Sequence, residues 1–128
     1  MASIFSRIVQ GEIPCHKIAE SEGYLAFLDI NPLVKGHTLC IPKKEIDYLF
    51  DLDDETLAGL MIFAKGVAKK IEAVIPCKRV GVSVIGTEVP HAHVHLIPFA
   101  QEAEMSITRP KLKLSQEELA SIAAQIRG

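Results

Sequence analysis

Apolar positions along the chain recur with two periods, one helical and one extended. Ile4, Phe5 and Ile8 share a face of a short helix read over Ser3–Gln10, and Gly11 stops it. Tyr24–Asp29 reads as a strand that turns at Ile30-Asn31-Pro32. His37–Ile41 reads as a second strand, closed by Pro42. The clearest helix runs from Asp53 to about Ala73, with Leu57, Leu60, Met61, Ala64, Val67, Ala68, Ile71 and Val74 at steps of three and four. Asp53, Asp54 and Glu55 at its start and Lys69 and Lys70 near its end suit the helix dipole.

Val80–Ile85 alternates as a third strand, Gly86–Pro90 is a loop, and His91–Ile97 is a fourth strand. So short a loop predicts an antiparallel hairpin. Ser115-Gln116-Glu117-Glu118 is a capping box that opens a last helix through Ile126. Strands and helices that do not alternate as βαβ units predict an α+β domain.

The length of 128 residues fits one domain over 1–128. Lys plus Arg is 14 and Asp plus Glu is 16. That balance argues against a nucleic-acid partner, which needs a basic excess to neutralise phosphates. With five Phe, two Tyr and no Trp, the chain also lacks platforms for stacking bases of single strands. The longest strongly apolar stretch, Leu57–Ala64, ends at Lys65 and falls far short of the ~20 residues that span a bilayer. Met1–Arg7 has no export-signal core, so the cytoplasm is the expected compartment and no membrane partner is expected. Cys15, Cys40 and Cys77 are odd in number and scattered, as reduced thiols are.

The segment His91-Ala92-His93-Val94-His95 holds three of the five histidines. On a strand, alternation would project all three imidazoles from one face and turn Ala92, Val94 and Leu96 into a core. Three chemistries compete for such a face. Histidines satisfied by solvent or core partners are one. Alternate ligands of a zinc ion are another. The third is nucleophilic catalysis by one imidazole while its neighbours position it and hold an anion.

His91-Ala92-His93-Val94-His95-Leu96-Ile97 resembles the His-x-His-x-His-x-x signature, with x apolar, of the histidine triad (HIT) family. Ser3–Val9 followed by Gly11-Glu12-Ile13-Pro14 resembles its amino-terminal segment. Leu25–Pro32 resembles its ribose-binding segment, and Gly36–Lys44 the strand that follows. The similarity covers about residues 3–100 and is strongest to the Hint-like nucleoside phosphoramidase branch and its bacterial relatives. Beyond it lies a C-terminal extension with a helix over about 115–126.

The resemblance implies a HIT-like fold: a five-stranded antiparallel sheet with two main helices, followed here by the C-terminal helix. It also implies a homodimer and a reaction at the α-phosphate of a purine nucleotide conjugate, such as an adenosine phosphoramidate. His93 would be the nucleophile that forms a nucleotidyl-imidazole. His95 would hydrogen-bond phosphate oxygens, and His91 would help hold the rings. Asp29 matches the ribose-binding carboxylate, and Phe5, Ile8, Phe27 and Ile30 match the walls of the base pocket. His37 matches a histidine common in the family, and Thr87 can donate to phosphate. No cofactor and no catalytic metal is implied. Dinucleoside-polyphosphate hydrolysis, nucleotidyl transfer and nucleotide sensing with little turnover remain as alternatives.

The chain departs from the family in two places. Some bacterial relatives carry a structural zinc on a Cys-x-x-Cys and a later His. Those positions are Ser3, Ser6 and Glu45 here, and serine hydroxyls are poor zinc ligands, so no structural zinc is expected. Before the triad, Gly86-Thr87-Glu88-Val89-Pro90 replaces the Gly-Gln-Ser or Gly-Gln-Thr of the phosphoramidases, and an ionised Glu88 would repel phosphate.

Overall fold

The computed structural model describes residues 2–128; Met1, at the start of the expected 1–128 span, lies outside them. Five strands form one sheet: β1 (Lys17–Glu20), β2 (Tyr24–Leu28), β3 (Thr38–Pro42), β4 (Arg79–Ser83) and β5 (Val94–Phe99). Their spatial order is β1-β2-β3-β5-β4, and every neighbouring pair is antiparallel. Helices α1 (Ile4–Val9), α2 (Asp54–Val74) and α3 (Gln116–Arg127) flank the sheet. The α+β expectation and the five-stranded antiparallel sheet are both met.

The alternation of each strand divides its side chains between two apolar layers. Ala26, Leu28, Cys40, Val94 and Leu96 pack with Leu60, Ala64, Val67 and Ile71 of α2 and with Leu119, Ile122 and Ile126 of α3. On the opposite face, Leu25, Phe27, Leu39 and Ile41 pack with Phe5 of α1. Strand β3 is buried throughout. The apolar stripe of α2 is narrower than expected, since Met61 and Val74 are exposed. Gly59 of α2 serves a close approach, because a Cβ there would stand 2.0 Å from the Tyr24 hydroxyl. That hydroxyl donates to the Thr56 carbonyl at 3.0 Å. The capping box of α3 forms as expected, with Ser115 and Glu118 bonding each other's backbone N–H.

The observed elements differ from expectation at several places: β1 is an additional strand, β4 stops at Ser83 and not at Ile85, and β5 starts late and runs on to Phe99. β1 escapes the hydrophobic pattern because only Ile18 among its four residues is buried. The final strand begins at Val94 and not at His91. Upstream of it the backbone leaves the ladder: the N–H of His91 bonds Val89 O at 2.8 Å, and that of Ala92 bonds Ile46 O at 2.7 Å. Strands β4 and β5 still form the expected hairpin, with Ser83 opposite His95, but residues 84–93 connect them. Among the described residues, no helix is long and apolar enough to cross a membrane.

Candidate active site

The triad histidines do not share one open face. His91 is wholly buried and turned toward α1, whereas His93 and His95 line a cavity of about 180 Å³. The three rings nevertheless lie on one side of the chain: His95 stands opposite Leu39 on the α1 face, and Phe5 of that face meets both His91 and His93. Ala92, Val94 and Leu96 do enter the core on the other side. The His93 and His95 ring centroids lie 5.0 Å apart.

Hydrogen bonds define the tautomer of each ring, because a carbonyl oxygen only accepts and a backbone N–H only donates. His93 Nδ1 lies 2.7 Å from the His91 carbonyl oxygen, so Nδ1 carries a proton and, in the neutral ring, Nε2 carries the lone pair. Leu33 N–H donates to His37 Nδ1 at 3.0 Å, which puts the His37 proton on Nε2. That Nε2–H donates to His95 Nδ1 at 2.9 Å, leaving His95 with a donor at its own Nε2. Burial, and then the neighbouring His95, push the His37 pKa down to about 3. Burial, and then His93, push His95 down to about 4. Both rings are therefore neutral near pH 7.

Asp29 closes the same cavity from the end of β2. Its Oδ1 accepts from Asn31 N–H at 2.8 Å, and its Oδ2 stands 3.7 Å from His37 Nε2. Burial raises the Asp29 pKa against the lowering effect of that N–H bond. Thr87 and Glu88 line the cavity from the connection before the triad. Gly86, at φ +75°, turns that connection with a backbone conformation glycine adopts without strain.

The structure thus brings Asp29, His37, Thr87, His93 and His95 around one cavity. The four residues matched to a base pocket lie elsewhere or deeper. Phe5 and Phe27 are buried in the α1 layer with Ile8 packed against them, and Ile30 is exposed beside Asp29. Phe5 nevertheless meets the His93 ring edge-on, with centroids 5.0 Å apart. Ile107 and Lys111, from the segment between β5 and α3, also line the cavity. No periodicity or motif in the sequence marks them; only the fold of their own chain carries them there, tied by Leu112 N–H to Pro32 O at 2.8 Å.

A family model for the HIT domain matches residues 10–102. The chain belongs to the HIT family. It is 37% identical over 129 residues to the adenosine 5′-monophosphoramidase hnt1 of Schizosaccharomyces pombe, covering 98% of this chain and 96% of that one. Among solved structures, a HIT-like protein of Bartonella henselae involved in cell-cycle regulation superposes with a TM-score of 0.85 at 31% identity. That match covers 98% of this chain and 93% of the other. A zinc-bound histidine triad family protein of Mycobacterium smegmatis gives 0.80 at 28% identity, over 98% and 96% of the two chains.

The HIT fold does bring Ser3, Ser6 and Glu45 together, beside His91. Ser6 Oγ donates to Glu45 Oε1 at 2.6 Å, and Ser3 Oγ lies 3.0 Å from His91 Nδ1. Two neutral hydroxyls already engaged in hydrogen bonds are a poor donor set for zinc, which favours thiolate and imidazole. The residues present do not fit that ion. A different trio, Asp29, His37 and His95, has ligand atoms within 4.8 Å of one another. There a proton shared between the two rings occupies the position a cation would need. Sequence reasoning placed His37 in the site but missed its bond to His95, which joins residues 58 apart in the chain.

Proposed function

We propose that this HIT protein hydrolyses purine nucleotide conjugates at the α-phosphate, with His93 as a covalent nucleophile. The observation that carries the reading is the 2.7 Å bond from His93 Nδ1–H to the His91 carbonyl. It leaves Nε2 unprotonated in a ring that borders the cavity, as a nucleophilic imidazole requires. The similarity to an adenosine 5′-monophosphoramidase along nearly its whole length supports the same chemistry.

In this mechanism Nε2 attacks phosphorus, a P–N bond to His93 forms, and the bond to the leaving amine breaks. The amine departs with a proton drawn from water. A second water then attacks phosphorus, its oxygen stays on the nucleoside monophosphate, and the electron pair returns to Nε2. His95 Nε2–H, oriented by His37, donates to a phosphate oxygen as charge develops there. Thr87 adds a donor on the cavity rim, and Asp29 accepts from the ribose hydroxyls. Ile30, exposed beside Asp29, borders the base, and Phe5, Ile8 and Phe27 back the site from the apolar layer behind His93. Positioning and neutral donors supply the stabilisation that phosphoryl transfer needs.

The same reading treats 1–128 as one cytoplasmic HIT domain working as a homodimer. A second copy would cover the free edge of β4, where Val82 is exposed together with Val84 and Ile85 beyond it. Lys111 favours a second substrate class, because its charge at the cavity suits a phosphate-bearing leaving group such as that of a dinucleoside polyphosphate. Under that alternative, Lys111→Ala lowers kcat/KM for the polyphosphate far more than for a phosphoramidate.

Hydrolysis of adenosine 5′-phosphoramidate in EDTA, by wild type and by His93→Ala, tests the proposal. Activity that survives the chelator and is lost in the variant supports it. A wild-type protein that binds the nucleotide without turning it over would instead mark a sensor.

A further inference from the structure

We infer that Ser3, Ser6 and Glu45 form a hydrogen-bonded clamp that positions the nucleophile, acting on His93 through His91. The inference rests on the assignment of His93 as nucleophile, so its test includes a measurement independent of turnover.

The clamp begins at an exposed carboxylate and ends at a buried ring. Glu45 Oε1 accepts from Ser3 N–H at 2.6 Å and from Ser6 Oγ–H at 2.6 Å. Ser3 Oγ accepts from Ser6 N–H at 3.0 Å as the N-cap of α1. Its own proton is then free to point at His91 Nδ1, 3.0 Å away. On the far side of the ring, His91 Nε2–H donates to the Pro42 carbonyl at 2.7 Å. Both ring nitrogens are thereby committed, in a side chain with no exposed surface.

Glu45 sets the direction of this chain of bonds. Ser6 Oγ also lies 3.4 Å from His91 Nδ1 and could compete for it. The carboxylate draws the Ser6 proton outward at 2.6 Å, which leaves Ser3, at 3.0 Å, as the nearer donor to the ring. The ring in turn fixes its own backbone. The His91 carbonyl is the acceptor that holds the His93 proton on Nδ1. Phe5, on the helix that Ser3 caps, touches both rings edge-on, at 6.0 Å from His91 and 5.0 Å from His93. Loosening the clamp frees that carbonyl and lets the His93 proton move to Nε2, which removes the nucleophilic lone pair. These three residues occupy the positions where some relatives use a metal; here hydrogen bonds among them do the holding.

Four variants test the clamp: Glu45→Ala and Ser3→Ala break it, whereas Glu45→Gln and Ser3→Thr keep an acceptor or a hydroxyl in place. The readouts are the imidazole tautomers by ¹H–¹⁵N NMR and the separate kcat and KM for adenosine 5′-phosphoramidate. The wild type should show His93 protonated at Nδ1 alone. Glu45→Ala and Ser3→Ala should mix in the Nε2–H form and lower kcat by about 10- to 100-fold with KM little changed, as a misplaced reacting group does. Glu45→Gln and Ser3→Thr should restore most of both. Because Glu45 is exposed, its variants keep the fold even if Ser3→Ala does not. A folded Glu45→Ala protein with an unchanged His93 tautomer overturns the clamp. So does a shifted tautomer with unchanged kcat. If His93→Ala proves fully active, the nucleophile assignment fails, and the tautomer measurement still decides whether the clamp exists.

Discussion

His37 donates its Nε2 proton to Nδ1 of His95 across 2.9 Å, although His37 lies just before β3, His95 lies on β5, and 58 positions separate them. The bond makes His95 a neutral donor with one defined tautomer. In the proposed mechanism His37 serves as a positioning residue that orients His95. His37→Ala should lower kcat by roughly 10- to 100-fold through misorientation of His95. The ring of His95 in that variant should show both tautomers by NMR, where the wild type shows only Nε2–H.

The same pair makes stability depend on pH. Both pKa values lie below the ordinary 6.5, at about 3 for His37 and about 4 for His95. The unfolded chain therefore binds more protons than the folded one between those values and 6.5, so stability rises with pH across that window. Acidification from neutral should lower Tm progressively from about pH 6.5 toward pH 4, and His37→Phe should flatten the slope. Glu45, held at about 2 by its bonds to Ser6 and Ser3, contributes in the same direction but only below its ordinary 4.5. Of these groups only the histidines act between about pH 4.5 and 6.5, so the slope there reports on them.

Gly59 should resist substitution although it lies inside a helix. Alanine there gains about 1 kcal/mol in helix propensity. Against this, its Cβ would meet the Tyr24 hydroxyl at 2.0 Å and ring carbon Cζ at 2.8 Å. Overpacking of that kind costs about 1–3 kcal/mol, and the hydrogen bond to Thr56 would be lost as well. Gly59→Ala should therefore lower Tm. Adding Tyr24→Phe should recover part of the loss, since the hydroxyl makes the closest contact.

Much of the fold was legible where one residue pattern meets one environment. The stripe Leu60, Ala64, Val67, Ile71 lies against a sheet, and Ser115 with Glu118 is a self-contained cap. The alternating histidines located the site and its face but not the burial of His91. The backbone leaves the ladder before Val94, where His91 and Ala92 bond to Val89 and Ile46, and this seats the first ring under α1. Long-range partners were beyond local patterns altogether. Ser3 and His91, 88 positions apart, meet because α1 packs over the sheet beside β3. Lys111 reaches the cavity through a segment without periodicity, so no sequence signal marked it.

The central claim is that Nε2 of His93 carries the nucleotidyl group during turnover. Its most direct test is rapid mixing of the protein with adenosine 5′-phosphoramidate, an alkaline denaturing quench, and intact-mass analysis with peptide mapping. The account predicts one adenylyl group on wild-type protein, mapped to His93, formed with a burst of free amine and absent from a folded His93→Ala variant. Turnover with no adduct, or an adduct on another residue, would contradict it.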